Sequence, residues 1–98
     1  MSQAVTKRTV LCLNASDNIA VCLKDFKAGE EINQDGHSIT VLNNIPRGHK
    51  VATKSIAKND GVIKYGERMG HATTDIQIGE HVHTHNVLGD RVSTESSN

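Results

Sequence analysis

Three histidines alternate with other residues near the end of the chain: His81, His83 and His85. Side chains two residues apart on a β-strand point to the same face, so a strand here would align three imidazoles. Neighbouring histidines would be separated by about 6.6 Å, a span that two rings can close around a metal ion with bonds of about 2.1 Å. His81 and His85 would lie about 13 Å apart, so a third ligand requires a bend or another segment. The run predicts part of a metal site, and the alternative is an exposed sheet face covered by histidines.

A basic turn lies in the middle of the chain, at residues 45–50. Pro46 fixes its own φ and Gly48 permits a chain reversal, while Arg47, His49 and Lys50 supply positive charge and hydrogen-bond donors. These three side chains are candidates for binding the carboxylate of a substrate. The alternative is an ordinary solvated turn.

The segment Lys64-Tyr65-Gly66 has two interpretations on its residues alone. Its polar side chains can contribute to a site. Alternatively, Tyr65, the single tyrosine of the chain, is the main aromatic side chain of the core, and Lys64 lies on the surface.

Short β-prone runs must position these candidates. Residues 9–13 and 19–23 flank a cluster of turn-forming residues and therefore predict a hairpin. Further strands are predicted at residues 38–42, 50–53, 61–64 and 81–85. No segment carries a long amphipathic helical period. The predicted fold class is mainly β, with little helix.

A weak internal repeat supports this layout. Residues 25–30, 55–60 and 75–80 each have a small polar residue, an apolar residue, two spacers, Gly or Asn, and an acid. The apolar position is expected to plug into the core, and the Gly or Asn is expected to adopt the positive φ that turns the chain. Three such corners predict a compact, bent β structure.

The composition limits the size and the partners of the protein. A chain of 98 residues fits one domain, and its 36% apolar and 2% aromatic content gives a small aliphatic core. Such a fold often depends on a partner, so we expect a homo-oligomer or a larger companion chain. Eleven basic and eleven acidic residues cancel, which argues against a nucleic-acid partner. No apolar stretch reaches membrane-spanning length and the start lacks a leader-like apolar region, so we expect no membrane partner and a cytoplasmic location.

Residues 9–88 are predicted to form the domain, between a flexible amino terminus at residues 1–8 and a flexible tail at residues 89–98. Cys12 and Cys22 lie in separate apolar runs, and they are predicted to be core thiols and not a disulfide.

The motifs Arg-Gly-His-Lys at 47–50, Lys-Tyr-Gly at 64–66 and His-Val-His-Thr-His-Asn at 81–86 occur here in one order. Together they resemble the amino-terminal region of the altronate and galactarate dehydratase family, over about residues 9–88. The resemblance implies a SAF domain with a β-clip fold. It also implies either the front of a long sugar-acid dehydratase or a small subunit paired with a large one. The small subunit of sulfolactate sulfo-lyase, a carbon-sulfur lyase, is similar as well, and the altronate dehydratase interpretation is placed first.

The resemblance further implies a metal-dependent lyase, with Fe²⁺ as the cofactor and Mn²⁺ as the alternative. On this interpretation His81, His83 and His85 line the shared site, Arg47, His49 and Lys50 bind the acid substrate, and Lys64 or Tyr65 assists orientation or proton transfer. The general base is expected on the large subunit, and the isolated chain is expected to be inactive. A non-catalytic carbohydrate-binding, metal-binding or structural module is the alternative of another class.

Overall fold

In the computed structural model, which describes residues 8–34 and 36–90, the chain forms nine short antiparallel strands. They are β1 (Val10–Leu11), β2 (Ile19–Cys22), β3 (Glu31–Gln34), β4 (His37–Thr40), β5 (Lys50–Ala52), β6 (Gly61–Lys64), β7 (Glu67–Ala72), β8 (His81–Val82) and β9 (Val87–Leu88). The predicted mainly β fold is therefore confirmed. The predicted flexible ends fall mostly at residues 1–7 and 91–98, outside the described part of the chain. No helix in the described part is long and apolar enough to cross a membrane.

A central sheet has the strand order β1-β2-β5-β8, and every neighbouring pair in it is antiparallel. The predicted hairpin at its edge is confirmed, because Val10 pairs with Cys22 across β1 and β2. Ile19 pairs with Ala52 across β2 and β5.

Two hairpins project from the central sheet, one formed by β3 and β4 and the other by β6 and β7, which also pairs with β9. Tyr65 (φ 55°) and Gly66 (φ 80°) form the tip between β6 and β7, and two successive positive φ values match the two-residue turn that tight hairpins favour. Tyr65 is 38% exposed at this tip, so its interpretation as the core aromatic is wrong. Phe26, which is 3% exposed, fills that role.

Four corners of one form connect the strands. In each, a buried isoleucine or phenylalanine is followed three residues later by a residue of positive φ: Phe26 and Gly29 (98°), Ile45 and Gly48 (89°), Ile56 and Asn59 (77°), and Ile76 and Gly79 (92°). The three predicted corners are confirmed. The fourth corner is the basic turn, whose likeness to the others was not predicted. Isolated bridges pair Phe26 with Ile45 and Ile56 with Ile76, so the four corners form two hydrogen-bonded pairs.

The core is divided into two clusters by the central sheet, because alternate residues of a strand face opposite sides. Ala20 and Val51 belong to one cluster, whereas Ile19 and Ala52 belong to the other. Cys12 and Cys22 are not joined in a disulfide, as predicted, and burial raises the pKa of Cys22 to about 11.

The chain repeats the same order of elements twice. A strand of the central sheet begins at residue 19, at residue 50 and at residue 81, and each interval contains a corner, a hairpin and a second corner. We call residues 19–49 the first unit and residues 50–80 the second unit. The last residue of the first unit is His49, and the strand that follows the second unit begins with His81.

Candidate metal centre

Strand β8 ends at Val82, and the chain then turns through residues 83–86. The side chain of Asn86, which is 1% exposed, holds this turn from inside. Asn86 Oδ1 accepts a hydrogen bond from His83 N at 2.9 Å, and Asn86 Nδ2 donates one to His81 O at 2.9 Å. The predicted strand through His85 is therefore wrong beyond Val82, because the Asn86 amide bonds to backbone groups that a longer strand would have paired.

His49 reaches the same place from the first unit. Val51 on β5 pairs with His81 on β8, so the continuing antiparallel register places His49 beside His83. The backbone of His49 is fixed at this position because Cys22 N donates a hydrogen bond to His49 O at 2.8 Å. Two separate parts of the chain therefore supply imidazoles to one place.

The rings of His49, His81 and His83 form a compact group that we call the imidazole cluster. One ring nitrogen of each residue lies within 4.8 Å of the others. His49 Nδ1 and His81 Nε2 are 2.9 Å apart, at hydrogen-bond distance, and the rings of His49 and His83 stack with centroids 4.2 Å apart. His49 and His81 are half-buried, whereas His83 is exposed, so one side of the cluster is open.

His85, the third predicted metal ligand, lies at the edge of this group. It is exposed on the turn, and its ring centroid is 5.2 Å from that of His81. It is not one of the three residues whose ligand atoms converge. The structure instead brings His81 and His83 together with His49, which the sequence had assigned to substrate binding.

The local environment favours the neutral form of two clustered imidazoles, His81 and His83. Partial burial, followed by the charges of His85, His49 and His83, lowers the pKa of His81 below its usual value. Loss of hydration, followed by the charges of His49, Lys50 and His85, lowers the pKa of His83. Neutral imidazole is the form that binds metal ions, so these shifts reduce the competition from protons.

The imidazole cluster fits a divalent ion held by nitrogen. Bonds of about 2.1 Å place two ligand atoms of a tetrahedral ion about 3.4 Å apart. The distance from His49 Nδ1 to His81 Nε2 is 2.9 Å, below that value, and the upper limit for the whole group is 4.8 Å, above it. Small side-chain rotations therefore suffice to bring the three nitrogens to bonding distance of one ion. The donor set of the cluster is three imidazoles, without a carboxylate.

A cleft with a volume of about 260 Å³ adjoins the imidazole cluster at His83. Its lining combines two lysines, Lys50 and Lys64, with Thr84 and with aliphatic side chains of both hairpin and sheet. Lys50 stands between the two features, since it lines the cleft and its charge also acts on His83. The cleft therefore brings together one predicted substrate-binding residue, one catalytic candidate and one predicted metal ligand.

Arg47 and Tyr65 are not part of this arrangement. Arg47 is exposed on the corner that carries His49, and its backbone N donates a hydrogen bond to Asp25 Oδ1 at 2.8 Å. Neither Arg47 nor Tyr65 lines the cleft among the residues that the structure describes. Tyr65 stays at its hairpin tip, where Lys64 Nζ lies 5.2 Å from the centre of its ring.

Residues 8–90 match the family model described as altronate/galactarate dehydratase SAF domain. The chain belongs to this SAF domain family. It is 44% identical over 79 residues to altronate dehydratase of Bacillus subtilis (strain 168), and these residues cover 81% of this chain and 16% of that protein. It is 40% identical over 77 residues to (2R)-sulfolactate sulfo-lyase subunit alpha of Paracoccus pantotrophus, and these residues cover 79% of this chain and 91% of that subunit. Galactarate dehydratase (L-threo-forming) of Escherichia coli (strain K12) is 39% identical over 66 residues, 65% of this chain and 12% of that enzyme.

This SAF domain therefore spans about a sixth of the altronate dehydratases that it matches, and nearly all of the sulfo-lyase subunit. The relatives are lyases of two kinds, named for loss of water and for loss of a sulfur group. The resemblance inferred from the motifs is confirmed at the level of the family.

Sequence reasoning missed three residues that build the centre of this SAF domain. His49 was assigned to a different task, because its place beside His83 depends on a strand register that no local motif reveals. Asn86 was noted only as the last residue of the His-Val-His-Thr-His-Asn motif. Asn43 was not noted, although its Oδ1 accepts a hydrogen bond from His81 N at 2.9 Å. An asparagine directly after a histidine run, able to cap a turn, was the one available signal.

Proposed function

We propose that this chain is the small subunit or domain of a metal-dependent sugar-acid dehydratase of the altronate dehydratase type, working with a large catalytic polypeptide. The observation that carries the proposal is the imidazole cluster, open on one side and adjoining a cleft with two lysines. The family membership supports the lyase class. The small share of the altronate dehydratases that the chain matches supports the need for a companion.

The reaction requires stabilisation of negative charge at two places. A base removes the proton from the carbon next to the carboxylate, and the hydroxyl on the following carbon accepts a proton and leaves as water. The enol that remains becomes a 2-oxo acid when its hydroxyl group loses a proton and the carbon that lost the leaving group gains one. A divalent cation, which we propose to be Fe²⁺ with Mn²⁺ as second candidate, would supply charge stabilisation when bound by histidines of the cluster.

The chain's own residues have separate parts in this scheme. Lys50 attracts the substrate carboxylate, since its charge lies beside His83. Lys64 orients the substrate from the cleft that it shares with Lys50. Arg47 stays a prediction as a residue that binds the substrate carboxylate, and Tyr65 is the weaker catalytic candidate because it does not line the cleft. No carboxylate belongs to the imidazole cluster, so the general base is assigned to the companion.

A sulfolactate sulfo-lyase small subunit is the second candidate function. It is favoured by the match to nearly the full length of the Paracoccus pantotrophus subunit alpha. The same proton would be removed, and sulfite would leave in place of hydroxide. The cytosol stays the proposed location in either case.

The test is a turnover assay of the chain alone and of the chain assembled with a polypeptide corresponding to the unmatched remainder of an altronate dehydratase. Formation of 2-oxo acid from altronate and release of sulfite from sulfolactate are measured in parallel. Neither polypeptide is expected to be active alone. In the assembled enzyme, His83→Ala is expected to lower turnover by about 100-fold, because the loss of even an outer-shell partner of a metal ligand costs about 10- to 100-fold. His37→Ala, a histidine outside the imidazole cluster, is the matched control.

Two results would contradict the proposal. Turnover by the chain alone at the rate of the assembled enzyme would remove the division of labour. If His83→Ala weakened assembly but left turnover per assembled complex unchanged, the chain would be a structural module.

A further inference from the structure

We propose that His49, His81 and His83 bind one divalent ion as a three-nitrogen site, and that the open side of the ion takes an α-hydroxycarboxylate. The identity of the organic ligand rests on the proposed function, whereas metal binding rests on this chain alone. The inference replaces His85 by His49 as the third ligand. It also names the part of the substrate that the small chain recognises.

The backbone that carries the three histidines is held in place before any ion arrives. Asn86 bonds to the backbone of His81 and of His83, and Asn43 accepts a hydrogen bond from His81 N. Cys22 fixes the backbone of His49. All four contacts lie between 2.8 and 2.9 Å, so little backbone entropy remains to be lost when a metal binds.

The site has an open side because residues 8–34 and 36–90 supply three ligands to it. His83 is exposed, and one face of the cluster meets solvent. Metal sites with three protein ligands leave a coordination position for water or substrate, whereas structural sites are closed by four. The geometry therefore favours a site that receives a ligand over one that only stabilises the fold.

The charge of the site selects an anion. Imidazoles bind a metal ion in their neutral form, so the three ligands bring no charge to the site. The bound ion would keep its two positive charges, and Lys50 adds another beside His83. Because the cluster contains no carboxylate, an external carboxylate would meet no repulsion from an acid of the cluster.

The donor set also selects among metals. Imidazole nitrogen suits iron, cobalt, nickel, copper and zinc, whereas manganese and magnesium favour carboxylate and water oxygen. Among the two candidates for the physiological cofactor, this set favours Fe²⁺ over Mn²⁺.

The relatives indicate which carboxylate to expect. Altronate, galactarate and sulfolactate differ in the group that leaves, but each carries a hydroxyl on the carbon next to a carboxylate. A hydroxyl and a carboxylate oxygen on neighbouring carbons can bind one ion together. We infer that this chain recognises the shared end of these acids, and that selection of the leaving group belongs to the companion.

The first experiment titrates the purified 98-residue chain with Zn²⁺, Ni²⁺ and Mn²⁺ by calorimetry, without any companion. Zn²⁺ and Ni²⁺ are expected to bind about tenfold or more tightly than Mn²⁺. His49→Ala and His83→Ala are each expected to weaken Zn²⁺ binding by about 100-fold, whereas His85→Ala changes it by less than about threefold. His37→Ala is the control, and circular dichroism checks that each variant is folded. Equal losses for His85→Ala and His49→Ala, or tighter binding of Mn²⁺, would overturn the assignment.

The second experiment adds glycolate, acetate or ethylene glycol to the Zn²⁺-loaded chain. Glycolate is expected to bind about tenfold more tightly than acetate, because it offers two donors, and ethylene glycol more weakly than either. Lys50→Ala is expected to weaken glycolate binding by about threefold to tenfold, and Lys58→Ala, an exposed lysine of another corner, to leave it unchanged. Equal affinity for glycolate and acetate would overturn the inference, as would glycolate binding that survives His49→Ala.

Neither experiment measures turnover, so the two proposals fail separately. A chain that binds zinc and glycolate but never supports lyase activity refutes the proposed function alone. An active assembled enzyme whose small chain binds no metal refutes this inference and the placement of the cation on the imidazole cluster, and leaves the lyase function itself in place.

Discussion

Asn86→Ala offers the sharpest test of how the imidazole cluster is built. The buried Asn86 side chain makes two hydrogen bonds of 2.9 Å, to His83 N and to His81 O, and alanine leaves both backbone groups without that partner. Each such group costs about 1–3 kcal/mol when it is shielded from water. Because His83 is exposed and water can reach the turn, the lower end applies, and the total loss is about 2–3 kcal/mol.

A loss of this size is readily measured in a domain of 98 residues. It corresponds to a decrease in melting temperature of about 10–20 °C, since 1 kcal/mol shifts a domain of this length by about 4–8 °C. Urea denaturation of the free chain gives the change in unfolding free energy, and calorimetry gives the accompanying loss of Zn²⁺ affinity, expected at about tenfold or more. Both effects share one cause, the release of the turn that presents His83.

Two further variants control this experiment. Asn86→Asp keeps the acceptor for His83 N but faces His81 O with a second oxygen, so it should be at least as destabilising as alanine. Asn44→Ala removes an exposed amide that accepts a hydrogen bond from Ala28 N at 3.0 Å, and it should cost about 0.5–1.5 kcal/mol with no effect on Zn²⁺ binding. If Asn86→Ala were no more destabilising than Asn44→Ala, the argument that this buried amide holds the cluster would be refuted.

Other predictions concern the corners and a buried acid. Gly79→Ala should cost about 2 kcal/mol more than Gly29→Ala in urea denaturation, because both glycines have positive φ but only Gly79 would drive its new Cβ into the Thr40 carbonyl oxygen. Equal losses would show that the Thr40 contact relaxes without cost. Burial alone would raise the pKa of Asp17, but backbone N–H donors, including Gly66 N at 2.7 Å, outweigh it and lower that pKa below 3.8. The Asp17 carboxylate should therefore stabilise the fold fully above about pH 4 and lose this contribution as the pH falls through its lowered value. Asp17→Asn should be less stable than the natural chain at pH 7, with a smaller difference at pH 3, and a constant difference would contradict the assigned hydrogen bonds.

Local chemistry made the corners and the first hairpin predictable. Each corner has a buried side chain, of Phe26, Ile56 or Ile76, three residues before a Gly or Asn. This short pattern specifies both the residue that packs into the core and the residue of positive φ at which the chain turns. The corner at Ile45 follows the same physics, but Pro46 and the basic residues concealed its likeness to the others.

The centre itself depended on longer-range information. Strands β3 and β7 were not predicted, because residues such as Glu31 and Arg68 give them a polar character that only pairing with a neighbour makes extended. The meeting of His49 with His83 required the register of β5 and β8, which is set by the corners and not by either segment. The histidine alternation indicated a strand, and the turn held by Asn86 overrode it.

The repetition of one architectural unit places the histidines of the imidazole cluster in different halves of the chain. His49 is the last residue of the first unit and His81 begins the strand after the second unit, so an ion bound to both would link the amino-terminal half to the carboxyl-terminal half. At a free ion concentration 100 times its dissociation constant, the bound ion would add about 2.7 kcal/mol to the free energy of unfolding. Either half of the protein, expressed on its own, would contain the metal ligands of one side of this link at most.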